Sequence, residues 1–348
     1  MIQAAHELFR IRDPSDVGAA RRAIDTLAGR LGIAEQPSAS AQLAATELGT
    51  NILRHGKDGY LLLRSLEAGG ERALEILAVD QGQGMADPSA APGGAAARSD
   101  GLGVGLGAVQ RLATSFDLYT EAASGTVVLG RFGSGRCTDE VAEAGALRSG
   151  GVSVAAVPAD PNGDGWAVTH DQAGCVVLVV DGLGHGPLAH QAAQAALAAF
   201  TADDDSDPCS RLCQAHAAMR HTRGGVATVA CIEPFQRRVR FAGVGNIQGK
   251  IVAAGQARGL ASQPGMLGAG AQLPRLRLTN LPWTPGATLL LWSDGLRSQV
   301  TLTADATLLT HDPTVVAAAL HRDFARGSDD ATIVVVQDQI GQRWLHTS

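Results

Sequence analysis

Long apolar runs are missing from this 348-residue chain. Its best run, Cys175 to Val180, has the length of a strand, whereas a bilayer-spanning helix needs about 20 apolar residues, so no membrane span is expected. The start, Met1 to Arg10, carries His6, Glu7 and Arg10 where a secretory leader would place its apolar core. No Cys-x-x-Cys pair occurs. The five cysteines, Cys137, Cys175, Cys209, Cys213 and Cys231, are odd in number and scattered. That pattern excludes a thiolate zinc site or a dithiol redox motif and fits reduced thiols in a cytoplasmic protein. Cys209 and Cys213, one helical turn apart, read as core packing. A basic arm or stripe is also lacking: 28 Lys and Arg stand against 34 Asp and Glu, for a net charge of −6 and a pI near 5.9. Gripping nucleic acid is therefore not the main business of the chain. No internal repeat relates its two halves.

What is present is the composition of a folded protein, 45% hydrophobic and 18% charged. At roughly 100–200 residues per domain, the length predicts two domains. The 43 glycines direct attention to loops built from backbone. Gly133-Ser134-Gly135 and Ser149-Gly150-Gly151 have linker composition, so the expected division is 1–134, a linker at 135–150, and 151–340. In the first part, strands are expected at 7–12, 60–66, 73–79, 116–121 and 126–132. Helices are expected from Ser15 or Asp16 to Leu31, over 37–53 with Leu43, Ala44, Leu48 and Ile52 as its apolar stripe, and near 105–114. The result is an α+β layer, a mixed sheet with helices on one face. The second part is strand-rich, with helices at 187–200, 208–221 and 313–322, and predicts two sheets with helices outside them.

Glu47 and Asn51 lie four residues apart on one helix face, an arrangement that on its own is common on solvated faces. Asp80 closes an apolar strand and opens Asp80-Gln81-Gly82-Gln83-Gly84, where small residues admit a base or sugar to the backbone. Gly101, Gly103, Gly105 and Gly107 alternate directly before a helix, leaving bare amides for an anion. Glu-x-x-x-Asn, then Asp-x-Gly-x-Gly, then the glycine-rich stretch, then Gly125-Thr126, resembles the GHKL (Bergerat-type) ATPase fold of histidine kinases and anti-sigma-factor kinases. The likeness runs through nearly all of 1–132. It is nearest to the small serine/threonine switch kinases of bacterial stress-response partner-switching modules. The resemblance implies ATP and Mg²⁺ as cofactors, Asn51 as the Mg²⁺ ligand, and Glu47 as general base toward a serine or threonine hydroxyl. It implies Asp80, with Thr126 beside it, as acceptor of the adenine amino group, Gly82 and Gly84 at the nucleotide, and Gly101–Gly107 over the phosphates. His55, just past the helix motif, reads as an ordinary surface histidine.

The second part repeats one theme, an aspartate beside glycine at a strand end: Gly163-Asp164, Asp181-Gly182, Asp294-Gly295, and Asp329-Asp330 before the last strand. Singly these are turn formers. Four of them in a chain without a Cys/His cluster point to hard divalent cations held by oxygen, able to activate water against a phosphoester. Val179-Val180-Asp181-Gly182-Leu183-Gly184-His185-Gly186, Gly243-Val244-Gly245-Asn246, Trp292-Ser293-Asp294-Gly295 and Ser328-Asp329-Asp330-Ala331-Thr332 resemble the PP2C-type metal-dependent phosphatases, in the branch of sporulation stage II and stress-response phosphatases, an αββα sandwich. By that likeness Asp181 is catalytic and bridges two Mn²⁺ or Mg²⁺ ions with help from the Gly182 carbonyl. Asp294 and Asp329 hold the second ion, with Asp330 the alternative to Asp329, and Asp164 binds through water. His185 is either an acid near the metals or a helix-start packing residue. The phosphate-binding Arg of larger eukaryotic relatives has no clear counterpart.

Together the two resemblances imply a bifunctional partner-switching regulator: a kinase for a STAS-type antagonist or stressosome-like scaffold protein, and a phosphatase for the same or a related protein. A sigma factor or its regulator stands downstream. In an alternative reading, the first domain only binds a partner and the phosphatase alone is active. In a third, the two enzymes act on unrelated targets.

Overall fold

The computed structural model describes residues 2–68, 70–85, 102–133, 147–158, 160–270, 272–301 and 307–339. The chain forms two compact units, one of His6–Thr138 and one of Asp139–Ser348 together with Met1–Ala5.

In the smaller unit, β1 (Glu7–Arg10) leads into α1 (Pro14–Leu31). Asp13 sets the start of α1: its Oδ1 accepts the Ser15 N–H at 2.7 Å, Asp16 returns the bond to the Asp13 amide, and Pro14 occupies a position that needs no donor. Then come α2 (Glu35–His55), β2 (Tyr60–Ala68), β3 (Glu71–Asp80), α3 (Leu102–Leu112), β4 (Ser115–Glu121) and β5 (Gly125–Gly133). The sheet runs β1-β2-β3-β5-β4. It is antiparallel at every described pairing, where the sequence pattern predicted a mixed sheet. Alternate residues Leu74, Ile76 and Ala78 of β3 point into a core shared with Ile24 of α1, Leu48 and Ile52 of α2, and Val109 of α3. Leu43, expected in that stripe, is 47% exposed, and Ala41 and Ala45 take the buried positions beside Ala44.

On the opposite sheet face Glu75 lies between Arg64 and Arg131, its partners across the two neighbouring strands. The Nε atoms of the two arginines are 2.5 and 2.8 Å from its oxygens, and His6 Nε2 is 3.3 Å away. Burial pushes the Glu75 carboxyl up, but Arg64 and Arg131 outweigh it and hold the group well below the usual range.

The larger unit contains β6 (Leu147–Val154), β7 (Asp164–His170), β8 (Cys175–Gly182), α4 (Pro187–Thr201), α5 (Pro208–Met219) and β9 (Gly225–Glu233). After these come β10 (Arg238–Val244), β11 (Gln248–Ala253), β12 (Gln256–Leu260), β13 (Thr279–Pro282), β14 (Thr288–Trp292), α6 (Pro313–Phe324) and β15 (Ala331–Asp338). They make two five-stranded sheets, β13-β10-β9-β8-β7 and β12-β11-β14-β15-β6. Period-two alternation divides β8: Val177 and Val179 join Trp166, Phe241, Leu289 and Val334 between the sheets, while Val176, Leu178 and Val180 meet α4 and α5 outside. With α6 against β6 and β15, the layers are αββα.

The strand β6 begins at Leu147, inside the segment read as linker. Its glycines serve close packing, not flexibility: a Cβ on Gly150 would stand 2.5 Å from Thr314 Oγ1, and one on Gly151 would stand 2.8 Å from the Ile333 carbonyl.

Candidate active sites

The first site is walled by α2 on one side and the end of β3 on the other. Burying Ala44, Leu48 and Ile52 against the sheet turns the adjacent face of α2, with Glu47 and Asn51, toward α3. The two side chains meet α3 at Gly105, where an added Cβ would lie 2.7 Å from Glu47 Oε2 and 3.9 Å from Asn51 Nδ2. The glycine-rich stretch is thus part of a helix and not a loop before one: Gly103, Gly105 and Gly107 lie within α3. Glycine disfavours a helix by about 1 kcal/mol per residue, and at Gly105 an added Cβ would displace the Glu47 carboxylate. Gly101 lies outside the described residues.

Across the site, Asp80 Oδ1 accepts the Gly82 N–H at 2.7 Å, which bends the chain out of β3. Gly84 has φ +65°, and a Cβ there would fall 2.2 Å from the Glu121 carbonyl. Thr126 is the cross-strand neighbour of Asp80, and its hydroxyl lies 3.2 Å from that of Thr120. Asn51, Asp80, Gly82, Gly84 and Thr126 line a cavity of about 730 Å³, within the range of a nucleotide-sized site. Arg54, His55 and Lys57 also line it, although their motif positions did not mark them. The Lys57 carbonyl accepts the Gln81 amide at 2.8 Å and fastens the end of α2 to the Asp80 turn. His55 is exposed.

The second site gathers strand ends. Asp164 opens β7 directly opposite Asp181 near the end of β8, Asp294 follows β14, and Asp329 and Asp330 precede β15. Asp181 is pushed up to about 8, by burial first and then by Asp294, Asp329 and Asp330. Burial and Asp329 likewise raise Asp294. Burial and Asp181 raise Asp164 well above the carboxylate range. In each case burial is the larger cause and a neighbouring carboxylate the next.

The two adjacent aspartates differ sharply. Asp330 is buried, and its oxygens accept the Ala156 amide at 2.8 Å and the Gly163 amide at 2.6 Å. Asp329, half-buried, acts on both Asp181 and Asp294, whereas Asp330 acts on Asp181 and Asp164. Behind the carboxylates, the Ser293 hydroxyl donates to Asp164 at 2.6 Å, and Asn246 Nδ2 donates to Asp294 at 2.7 Å. His185 is exposed. His190, in the first turn of α4, has its Nδ1 2.8 Å from the Asn162 carbonyl.

Among the described residues, no three His, Cys, Asp or Glu side chains converge on one point at direct ligand distance. The donor set, carboxylates and a carbonyl with no sulfur or imidazole, fits hard cations that keep part of their water.

Residues 12–131 match the family described as histidine kinase-like ATPase domain, and residues 171–338 match stage II sporulation protein E (SpoIIE). The first match contains Glu47 through Thr126. The second contains Asp181, Gly182, Asp294 and Asp329 and begins after Asp164. The chain is 33% identical over 119 residues to the serine/threonine-protein kinase RsbT of Bacillus subtilis (strain 168), covering 34% of this chain and 90% of RsbT. A solved chain from the bacterial stressosome, described as a modular system adapted to control secondary messenger signalling, is 26% identical with a TM-score of 0.49, over 55% of this chain and 98% of that one. RsbX in complex with magnesium is 21% identical with a TM-score of 0.47, over 55% and 95%. No helix among the described residues is long and apolar enough to cross a membrane.

Proposed function

This chain carries a domain of the histidine kinase-like ATPase family followed by a stage II sporulation protein E, PP2C-type domain, and we propose that it is a bifunctional partner-switching regulator. Its first domain phosphorylates a serine or threonine of a STAS-type antagonist or scaffold protein in a stress sigma-factor pathway. Its second domain removes phosphate from the same protein. The observation that carries the kinase reading is the meeting of Glu47 and Asn51 at Gly105, beside a cavity whose far wall holds Asp80. Glu47 takes the proton of the attacking hydroxyl, Asn51 would hold Mg²⁺, which when bound would neutralise phosphate charge, and Asp80 with Thr126 reads the adenine amino group. The glycines keep side chains out of the nucleotide's path.

For the phosphatase reading, the support is the set of mutually raised aspartates at strand ends. Asp181, with the Gly182 carbonyl, Asp294 and Asp329, would hold Mn²⁺ or Mg²⁺, and Asp164 would hold through water. Such ions, when bound, neutralise phosphate charge and acidify water. Asn246 and Ser293 fix the directions of Asp294 and Asp164, and Asp330 secures the backbone at Ala156 and Gly163.

The kinase half is tested by incubating the full chain with labelled ATP, Mg²⁺ and a STAS-domain protein. Phosphoserine or phosphothreonine should form on the partner and fall with Glu47→Ala. Unchanged labelling in that variant would refute the role of Glu47. Failure of ATP to bind, tested with Asp80→Asn beside wild type, would favour an adaptor without catalysis.

A further inference from the structure

The carboxylate site has an unassigned arginine at its edge. Arg223 lies in the loop before β9, and that loop is tied to the metal loop by backbone: the Leu183 amide donates to the Gly224 carbonyl at 3.0 Å, and Gly182 pairs with Gly225. Arg223 Nη1 reaches the Leu183 carbonyl at 3.4 Å. Gly184, at φ +78°, lacks the Cβ that would stand 3.2 Å from that same nitrogen. In this unit Arg148, Arg238, Arg240 and Arg322 are each paired with a carboxylate. Arg211 is spent on backbone carbonyls of Phe200, Asp203 and Asp205. Arg326 Nε donates to the Leu296 carbonyl at 3.2 Å. Among the described residues Arg223 has only its one long bond, and it is exposed. A guanidinium has five donors, so most of its fork is open to a ligand. Two large apolar side chains stand out in water after β8, Leu183 just past the strand at 51% exposure and Leu188 in the first turn of α4 at 52%.

We infer that Arg223 grips the substrate phosphate and that Leu183 and Leu188 form a ledge for an apolar residue beside the phosphorylated serine or threonine. This rests on the phosphatase reading above. An all-carboxylate centre repels a phosphate dianion at its approach, and a planar, uncommitted guanidinium two residues from Asp181's partner strand supplies the opposite charge in bidentate form. It fills the role left without a counterpart in the sequence.

The test uses the full chain with Mn²⁺ and two phosphoserine peptides, one with leucine and one with alanine next to the phosphoserine. Arg223→Ala should raise KM about 10–100-fold for both, the range of a charged hydrogen bond, with kcat nearly kept, and Arg223→Lys should recover part of the loss. Leu183→Ser with Leu188→Ser should raise KM only for the leucine peptide. A non-hydrolysable phosphonate version of the leucine peptide, followed by fluorescence anisotropy, reads the grip without turnover and should bind more weakly to Arg223→Ala. Equal anisotropy affinity of wild type and Arg223→Ala overturns the assignment of Arg223. Equal response of the two peptides to the leucine variants overturns the ledge. Absence of Mn²⁺-dependent hydrolysis by wild type sinks the phosphatase reading instead, and anisotropy then decides Arg223 alone.

Discussion

The two units bury carboxylates in opposite company. Glu75 lies between Arg64 and Arg131 and stays ionised far into acid. Asp181 lies among Asp294, Asp329 and Asp330 and is pushed up to about 8. Both are removed from water, so burial alone does not decide the charge; the neighbours do. In the first unit the chain supplies its own counter-cations and gains a fixed sheet. In the second, carboxylates stand beside carboxylates, and the proposed phosphatase reading gives them a divalent cation to hold. The nucleotide site follows a third course, built mostly from absent side chains, with Gly82, Gly84 and Gly105 making room.

The contrast can be broken from either side. The largest effect is expected at Glu47: Glu47→Ala should lower partner phosphorylation by about 10²–10⁴-fold, the usual worth of a general base, and leave Mn²⁺-dependent hydrolysis intact. Next, Glu75→Ala strands two buried arginines and should cost about 3–5 kcal/mol in denaturant unfolding of the first unit. The sign of its pH dependence follows from the depressed carboxyl. The stabilisation is fully present above the unfolded value near 4.5 and is lost as pH falls through the lower folded value. Wild type should therefore lose more stability than Glu75→Gln on acidification below about pH 4.5, and parallel curves would refute the ion cluster's role. In the second unit, Asn246→Ala and Ser293→Ala should weaken Mn²⁺ by about 10–100-fold, as orienting partners of ligands do, with calorimetry as the readout. The smallest effect is expected at Gly84→Ala, a left-handed position facing the Glu121 carbonyl. Strain of about 1–3 kcal/mol should appear as weaker ATP binding, while Mn²⁺ affinity stays unchanged.

Much of this was legible before any coordinates. Asp13-Pro14 announces α1, and the apolar run Thr288–Trp292 is β14 to the residue. Both signals are local. What escaped depends on distant partners. Gly150 and Gly151 look like linker residues until Thr314 and Ile333 are seen against them. The strands β12 and β13 are short and mostly exposed or half-buried, so they carry little apolar pattern. Asp329 and Asp330 are indistinguishable in sequence and part only where Asp330 meets the Ala156 and Gly163 amides, 174 and 167 residues away. Asn246 and Ser293 sit inside recognised motifs, yet their tasks appear only through bonds spanning 48 and 129 residues.

The central claim is that one chain both adds and removes phosphate on one partner, and Asp181→Asn tests it most directly. With ATP, Mg²⁺, Mn²⁺ and a STAS-domain protein, phosphosite mapping over time should show phosphate accumulating on a serine or threonine with the variant. Added wild-type chain should then strip phosphate from that same site. Partner protein that stays unphosphorylated with Asp181→Asn, or phosphate that wild type leaves in place, would contradict the account.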